Sequence, residues 1–127
     1  MFDRVIVVVG ARHDKKTIFT ADERVALIQQ AAPNVTVEIF DGLIVETARK
    51  LGATVLVRGV RNALDFEYES QMAVTNRTLA PEIDTVLLRA DPTAAFISSS
   101  LIKEIVKAGG SVADFVPAHV AQALTAK

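Results

Sequence analysis

Short apolar runs alternate with segments of helical periodicity along the whole chain. The β-branched run at residues 5–9 is typical of a strand buried on both faces of a parallel sheet. Alternation at residues 35–40 predicts a second strand, and shorter apolar runs predict two more at 54–57 and 85–88. The pattern predicts an α/β fold: a Rossmann-like three-layer α/β/α arrangement with one parallel sheet.

Helices are predicted between and after these strands. Thr20 and Glu23 have the spacing of a capping box, and the helix that they open stops before Pro33. The next helix ends where Gly52 can adopt the left-handed conformation. The other three are predicted at about residues 64–79, from the stretch 96–103 to Gly109, and at about 118–126.

The composition indicates one folded domain, which we assign to residues 1–127. A formal net charge of -1 gives no electrostatic case for binding nucleic acid. The absence of cysteine excludes disulfides and thiol catalysis, and it fits a reducing compartment. The run at 5–9 is too short to be a signal segment or a membrane span, so we expect a cytoplasmic protein that uses no membrane.

Polar loops that follow three predicted strands offer groups that bind phosphate. Because ligands bind at the carboxyl edge of open α/β sheets, we expect these loops to converge there. Guanidinium forks, an ammonium group and the N–H groups of a helix start suit a ligand with several phosphates. The simpler explanation of each basic residue alone is a solvated loop charge, and for Lys15 or Lys16 alone that explanation is favoured, so the convergence carries the prediction. The groups are Lys15 and Lys16, then Arg58, Gly59 and Arg61, then the serines at 98–100.

Other ionisable residues have simpler interpretations. Asp65 and Glu69 begin the long helix, where acidic residues complement the helix dipole, although their spacing allows both to face the sheet edge. His13 has no orienting partner, and His119 is expected to be a surface or capping residue. The sequence contains no metal-ligand spacing and no glycine-rich dinucleotide fingerprint.

Several motifs together have a specific family character. The stretches VRGVRN (57–62), DFEYE (65–69), LAPE (79–82) and FISSSLIKE (96–104) occur in this order, after a matching piece at residues 15–25. In combination they resemble the bacterial phosphopantetheine adenylyltransferases, over essentially the entire chain. The resemblance implies transfer of AMP from ATP to 4′-phosphopantetheine, giving dephospho-coenzyme A and pyrophosphate in coenzyme A biosynthesis. It also implies Mg²⁺ accompanying ATP, and assembly as a homohexamer.

Site residues follow from the same resemblance, position by position. Lys15 and Arg58 match family residues that hold the phosphate of the acceptor and carry catalysis, and Ile44 matches one beside the pantetheine arm. The matching ATP-site residues are Gly59, Val60, Arg61, Glu69, Ala94, Ala95, Phe96, Ile97, Ser98, Ser99 and Ser100.

One family motif is missing. The family begins with a strand and helix bearing a Thr/His-x-Gly-His motif, whose histidine stabilises the transition state, but this sequence contains no Gly-His pair. Residues 1–3 match a point after that helix. We therefore expect an N-terminal truncation that leaves two strands beside an empty central position in the sheet. Coding sequence upstream for a strand and a Gly-His would support this expectation.

Two alternatives stay open at this point. A non-catalytic module that binds nucleotide or coenzyme A would keep the anion-binding loops without the histidine. A purely structural interaction domain would have no use for Arg58, Arg61 and the serines on one edge. Arg58→Ala should weaken phosphopantetheine binding with little loss of fold stability, since charges in loops contribute little to folding.

Overall fold

The computed structural model describes residues 2–11 and 17–127. Helices and strands alternate, and they group into two compact units, Met1–Asp41 with Ser98–Lys127 and Gly42–Ile97. The predicted α/β class with parallel strands is confirmed, while a single domain over 1–127 stays a prediction. The elements are β1 (Ile6–Gly10), α1 (Ala21–Ala31), β2 (Thr36–Phe40), α2 (Ile44–Leu51), β3 (Val55–Val60), α3 (Ala63–Leu79), β4 (Asp84–Arg89), α4 (Ser99–Lys107) and α5 (Ala118–Ala126).

The strands form two parallel pairs, which differs from the single sheet that the sequence predicts. β1 pairs with β2 from Ile6↔Thr36 to Gly10↔Phe40, and β3 pairs with β4 from Val55↔Asp84 to Val60↔Arg89. In the described part of the chain, each strand is therefore hydrogen-bonded along one edge. The two pairs lie in different units, and each is built from consecutive strands joined by a helix.

In the first unit, α1 begins with the predicted capping box. The Thr20 hydroxyl accepts from the Glu23 N–H at 3.2 Å, and the Glu23 carboxylate accepts from the Thr20 N–H at 2.9 Å. The bond from the Thr20 N–H lowers the pKa of Glu23, and a further hydrogen bond from the Lys127 side chain lowers it as well. The helix thus starts where two of its unpaired N–H groups find acceptors.

β1 is less buried than its apolar run predicts. Val9 is buried, but Ile6, Val7 and Val8 are half-buried, and Val5 lies outside the strand with 49 % of its surface exposed. The prediction of a strand buried on both faces is therefore wrong for most of this run. The physical reason is that a strand in a two-stranded sheet has one neighbour in the sheet and cannot be enclosed as a central strand is.

The second unit, Gly42–Ile97, is a β–α–β arrangement with α2 preceding it. Its core consists of Val45 and Ala48 from α2 with Ala80 and Ile83 from the turn between α3 and β4. Gly52 ends α2 with φ of 72°, the left-handed conformation predicted for it. Leu56 of β3 packs against this core, and Ile83 directly precedes β4, so the core lies beside the start of both strands.

Candidate functional site

The carboxyl end of β3 carries the arginines singled out by the sequence. The strand runs to Val60, so Arg58, Gly59 and Val60 lie in the strand and not in a loop, which corrects the predicted strand end at residue 57. Glycine is a poor strand former, but pairing with β4 continues here, with Arg58 opposite Leu87 and Val60 opposite Arg89. The turn itself is short and consists of Arg61 and Asn62.

Arg58 makes a two-point ion pair with Glu69 of α3. Its Nε donates to Glu69 Oε2 at 2.9 Å, and its Nη2 donates to Oε1 at 2.8 Å. The two side chains differ in exposure, 57 % for Arg58 and 9 % for Glu69. Hydrogen bonding to this carboxylate raises the pKa of Arg58. The pair therefore anchors an accessible cation to a buried anion.

Arg61 pairs with Asp65 one helical turn away. Asp65 Oδ2 accepts from the Arg61 Nε at 2.8 Å and from the Arg61 backbone N–H at 3.1 Å. The side-chain bond from Arg61 is the main cause that lowers the pKa of Asp65. Asp65 thus has a specific partner in addition to the dipole role expected from its place in the first turn.

Asn62 begins α3 as its N-cap. Its side-chain oxygen accepts from the Asp65 N–H at 2.9 Å, which is the usual arrangement for an asparagine before a helix. The cap therefore fixes the helical turn on which Asp65 sits.

The segment before the serines is brought to the same turn by Arg61. Arg61 Nη1 donates to the carbonyl oxygen of Ile97 at 3.2 Å. Ile97 in turn donates its N–H to Ala94 at 3.0 Å, so residues 94–97 form a tight turn whose Phe96 side chain is exposed. Two of the three segments predicted to converge therefore meet within the unit Gly42–Ile97.

The serine run starts α4, as predicted. The Ser98 hydroxyl caps the helix by accepting from the Leu101 N–H at 3.1 Å. Ser99 and Ser100 occupy the exposed first turn. One serine is thus committed to capping, and the others leave their hydroxyls at a helix end that favours anions.

The remaining predicted site residues are Lys15, Ile44 and Gly59. Lys15, with Lys16 and His13, lies outside the described residues. Ile44 is half-buried and packs against the core of α2, which accounts for its apolar side chain without a ligand. Gly59 has a negative φ, and a Cβ built on it would meet no described atom within 4 Å.

The chain is similar in sequence to proteins of a known family. A family model described as cytidylyltransferase-like matches residues 1–105. The phosphopantetheine adenylyltransferase of Levilactobacillus brevis is 49 % identical over 130 residues, which cover 100 % of this chain and 81 % of that protein. That of Herpetosiphon aurantiacus is 50 % identical, covering 98 % and 77 %, and that of Brucella ovis is 46 % identical, covering 98 % and 81 %. The chain belongs to the phosphopantetheine adenylyltransferase family.

Membership of this family confirms the resemblance and the Rossmann-like α/β class. The structure adds Arg89, a residue that the sequence did not single out. Beside Arg61 and Val60 lies an open cleft of about 440 Å³ in the second unit, and its wall includes Phe66 of α3 and Arg89 at the end of β4. Arg89 was missed because the two strands were predicted to end at residues 57 and 88, whereas their pairing continues to Val60 and Arg89.

His119, the other histidine, is a packing residue. Its Nε2 lies 2.9 Å from the carbonyl oxygen of Leu27, and the side chain is half-buried between α5 and α1. The expectation of a surface or capping residue is thus replaced by a helix-to-helix contact. Across residues 2–11 and 17–127, no helix has the length and apolar character needed to cross a membrane.

Proposed function

We propose that this chain transfers AMP from ATP to 4′-phosphopantetheine, yielding dephospho-coenzyme A and pyrophosphate. The observation that carries the proposal is identity of 46–50 % over nearly the whole chain to relatives named for this activity. The names of these relatives support an enzyme. No finding favours a non-catalytic binding module. The proposal places the protein in coenzyme A biosynthesis as a nucleotidyltransferase.

The residues suit the chemistry of this transfer. The attacking group is a phosphate oxygen that is already ionised, so the enzyme needs no general base, thiol or serine nucleophile. It must hold the two substrates in line and neutralise charge that grows on the α-phosphate and the leaving pyrophosphate. Guanidinium groups at the end of β3 supply such charge without a change of protonation.

On the acceptor side, Arg58 and Lys15 are proposed to bind the phosphate of phosphopantetheine. The exposure of the Arg58 side chain supports this role, since a guanidinium anchored on one edge can still meet a ligand on the other. Ile44 is proposed to line the pantetheine arm, to which its partly exposed side chain would offer an apolar surface.

On the nucleotide side, the proposed ATP-binding residues come from three stretches. Support comes from the bond between Arg61 and the Ile97 carbonyl, which joins two of the stretches. The exposed Ser99 and Ser100 at the start of α4 suit phosphate oxygens. The proposed residues are Gly59, Val60 and Arg61, then Glu69, then Ala94, Ala95, Phe96, Ile97, Ser98, Ser99 and Ser100.

Magnesium is proposed to enter with ATP. Among the described residues, no three or more His, Cys, Asp or Glu side chains form a group that could hold a metal ion. The support is general: Mg²⁺ is commonly held by substrate phosphates and water with few protein ligands. When bound, the ion would neutralise phosphate charge.

Self-association, as a homohexamer, is proposed for the assembled enzyme, and a cytoplasmic location for its site of action. The support for assembly is α3, where Leu64 and Val74 expose 78 % and 68 % of their surfaces. Phe66, Tyr68 and Met72 between them are also exposed, and a large exposed apolar patch is typical of an interaction surface. If α3 contributes to the interface, Val74→Glu should lower the mass measured by light scattering, whereas Glu67→Gln should not change it.

The proposed activity is tested by incubating the chain with ATP, Mg²⁺ and phosphopantetheine and measuring pyrophosphate release. Release that depends on phosphopantetheine is the expected result. A folded chain that binds both substrates without releasing pyrophosphate would contradict the proposal and favour a binding module. Arg49→Ala is a suitable control, because Arg49 pairs with Glu46 and Glu82, away from the end of β3.

A further inference from the structure

Glu69 is unusual for its burial. Among the residues that the structure describes, it is the one charged residue that is buried, with 7 % of its surface exposed. It lies in the second turn of α3. A buried carboxylate is stable in a protein when a partner compensates the loss of water. Arg58 supplies that compensation through two hydrogen bonds of 2.9 and 2.8 Å.

The geometry of these bonds leaves one edge of Arg58 unused. Glu69 occupies the edge formed by Nε and Nη2. The Nη1 group has no hydrogen-bond partner among residues 2–11 and 17–127. A guanidinium presents a second two-donor edge between Nη1 and Nη2, which matches two oxygens of a phosphate. With its side chain 57 % exposed, Arg58 can therefore hold Glu69 and a phosphate together.

Glu69 is poorly suited to compete with a phosphate for Arg58. If the ion pair opened when a phosphate arrived, the carboxylate would remain buried without a counter-charge. Keeping the pair intact avoids this cost and holds the guanidinium in a fixed orientation. Positioning an arginine in advance lowers the entropy lost when its ligand binds.

We propose that Glu69 is a positioning residue, which holds the Arg58 guanidinium so that its Nη1–Nη2 edge binds the phosphate of the acceptor substrate. The inference rests on the proposed function and deepens it on the acceptor side. It adds to the ATP contact that the family resemblance implies for Glu69, because each carboxylate oxygen accepts one bond from Arg58 and keeps a second lone pair.

The test compares Glu69→Gln with Glu67→Gln, which removes an exposed carboxylate from the same helix. Binding of phosphopantetheine and of ATP with Mg²⁺ is measured separately by calorimetry, and KM is measured for each substrate. Glu69→Gln should weaken phosphopantetheine binding about tenfold and ATP binding by a clearly smaller factor, because the amide oxygen can still accept a hydrogen bond from the nucleotide but no longer fixes the guanidinium. Glu67→Gln should change neither. Loss of fold alone would weaken both substrates together, so the split between them identifies the positioning role.

A second background separates orientation from charge. Lysine has no planar fork to orient, so in Arg58→Lys the further change Glu69→Gln should cost less than it does in the wild-type chain. If Glu69→Gln fails to fold, Glu69→Asp replaces it. This variant keeps the charge but draws the carboxylate back by one methylene, and it should still weaken phosphopantetheine binding selectively.

Three outcomes would overturn the inference. Unchanged phosphopantetheine binding in folded Glu69→Gln or Glu69→Asp, with normal binding by the wild-type chain, overturns the positioning role alone. Weaker ATP binding with unchanged phosphopantetheine binding assigns Glu69 to the nucleotide instead. A wild-type chain that binds no phosphopantetheine overturns the proposed function and the inference with it.

Discussion

The two arginines at the end of β3 each pair with a carboxylate of α3, but the pairs are built differently. Asp65 lies four residues from Arg61, and both side chains are partly exposed, 26 % and 36 %. Glu69 lies eleven residues from Arg58 and is buried. The first pair is held by a local turn and the second by the packing of a helix on a strand.

This difference separates two tasks that one residue type performs at the same sheet edge. An exposed pair four residues apart contributes little to stability and can open at small cost when a ligand arrives. A pair with a buried member must stay closed, because opening it leaves a charge without water or partner. We therefore expect Arg61 to be the adjustable cation of the site and Arg58 the fixed one.

The largest effect is expected from Arg58→Ala. This change leaves Glu69 buried without its partner, and it should lower the free energy of unfolding by about 1–2 kcal/mol, less than for a fully buried pair because Arg58 is itself partly exposed. It replaces the expectation of unchanged stability, which assumed that Arg58 was a loop residue. Urea unfolding monitored by circular dichroism measures the change. Arg61→Ala is the matched control, and equal losses from both variants would remove the contrast between the pairs.

A smaller effect is expected from Asn62→Ala. This removes the N-cap of α3 and should cost about 1 kcal/mol in urea unfolding. Asn62→Asp, which keeps a capping oxygen, should stay close to wild type. Because the cap bonds to the Asp65 N–H, its loss should be non-additive with Asp65→Asn but additive with Glu69→Gln. Equal coupling to both would show that the two pairs are not independent.

The smallest effect concerns acid stability. The pKa of Asp65 is depressed in the folded chain by its bond from Arg61. The stability that Asp65 contributes is therefore fully present above its ordinary pKa of 3.8 and is lost as the pH falls through the lower folded value. The melting temperatures of wild type and Asp65→Asn should differ slightly at neutral pH and converge below pH 3.8. A difference that grows on acidification would contradict this assignment.

Local signals in the sequence predicted the parts of the fold that depend on local chemistry. The capping box at Thr20 opens α1, and Gly52 ends α2 in the left-handed conformation, both at the predicted positions. The pairing of Arg58 with Glu69 was not predictable, since it depends on how α3 packs across β3 and not on a spacing along the chain. The extension of β3 to Val60 was missed because Arg58 and Gly59 interrupt the apolar run, whereas the pairing with β4 continues through them.

Gly59 has no side chain although the described structure leaves room for one, which bears on the substitutions that position 59 tolerates. Neither a positive φ nor a nearby described atom requires glycine here, and glycine in a strand costs conformational entropy. In a library selected for folding alone, larger residues should therefore accumulate at position 59. In the same library selected for growth that depends on the enzyme, glycine should persist if a nucleotide passes close to the backbone there. The difference between the glycine frequencies in the two selections would then measure how strongly ligand binding, as distinct from folding, requires glycine at position 59.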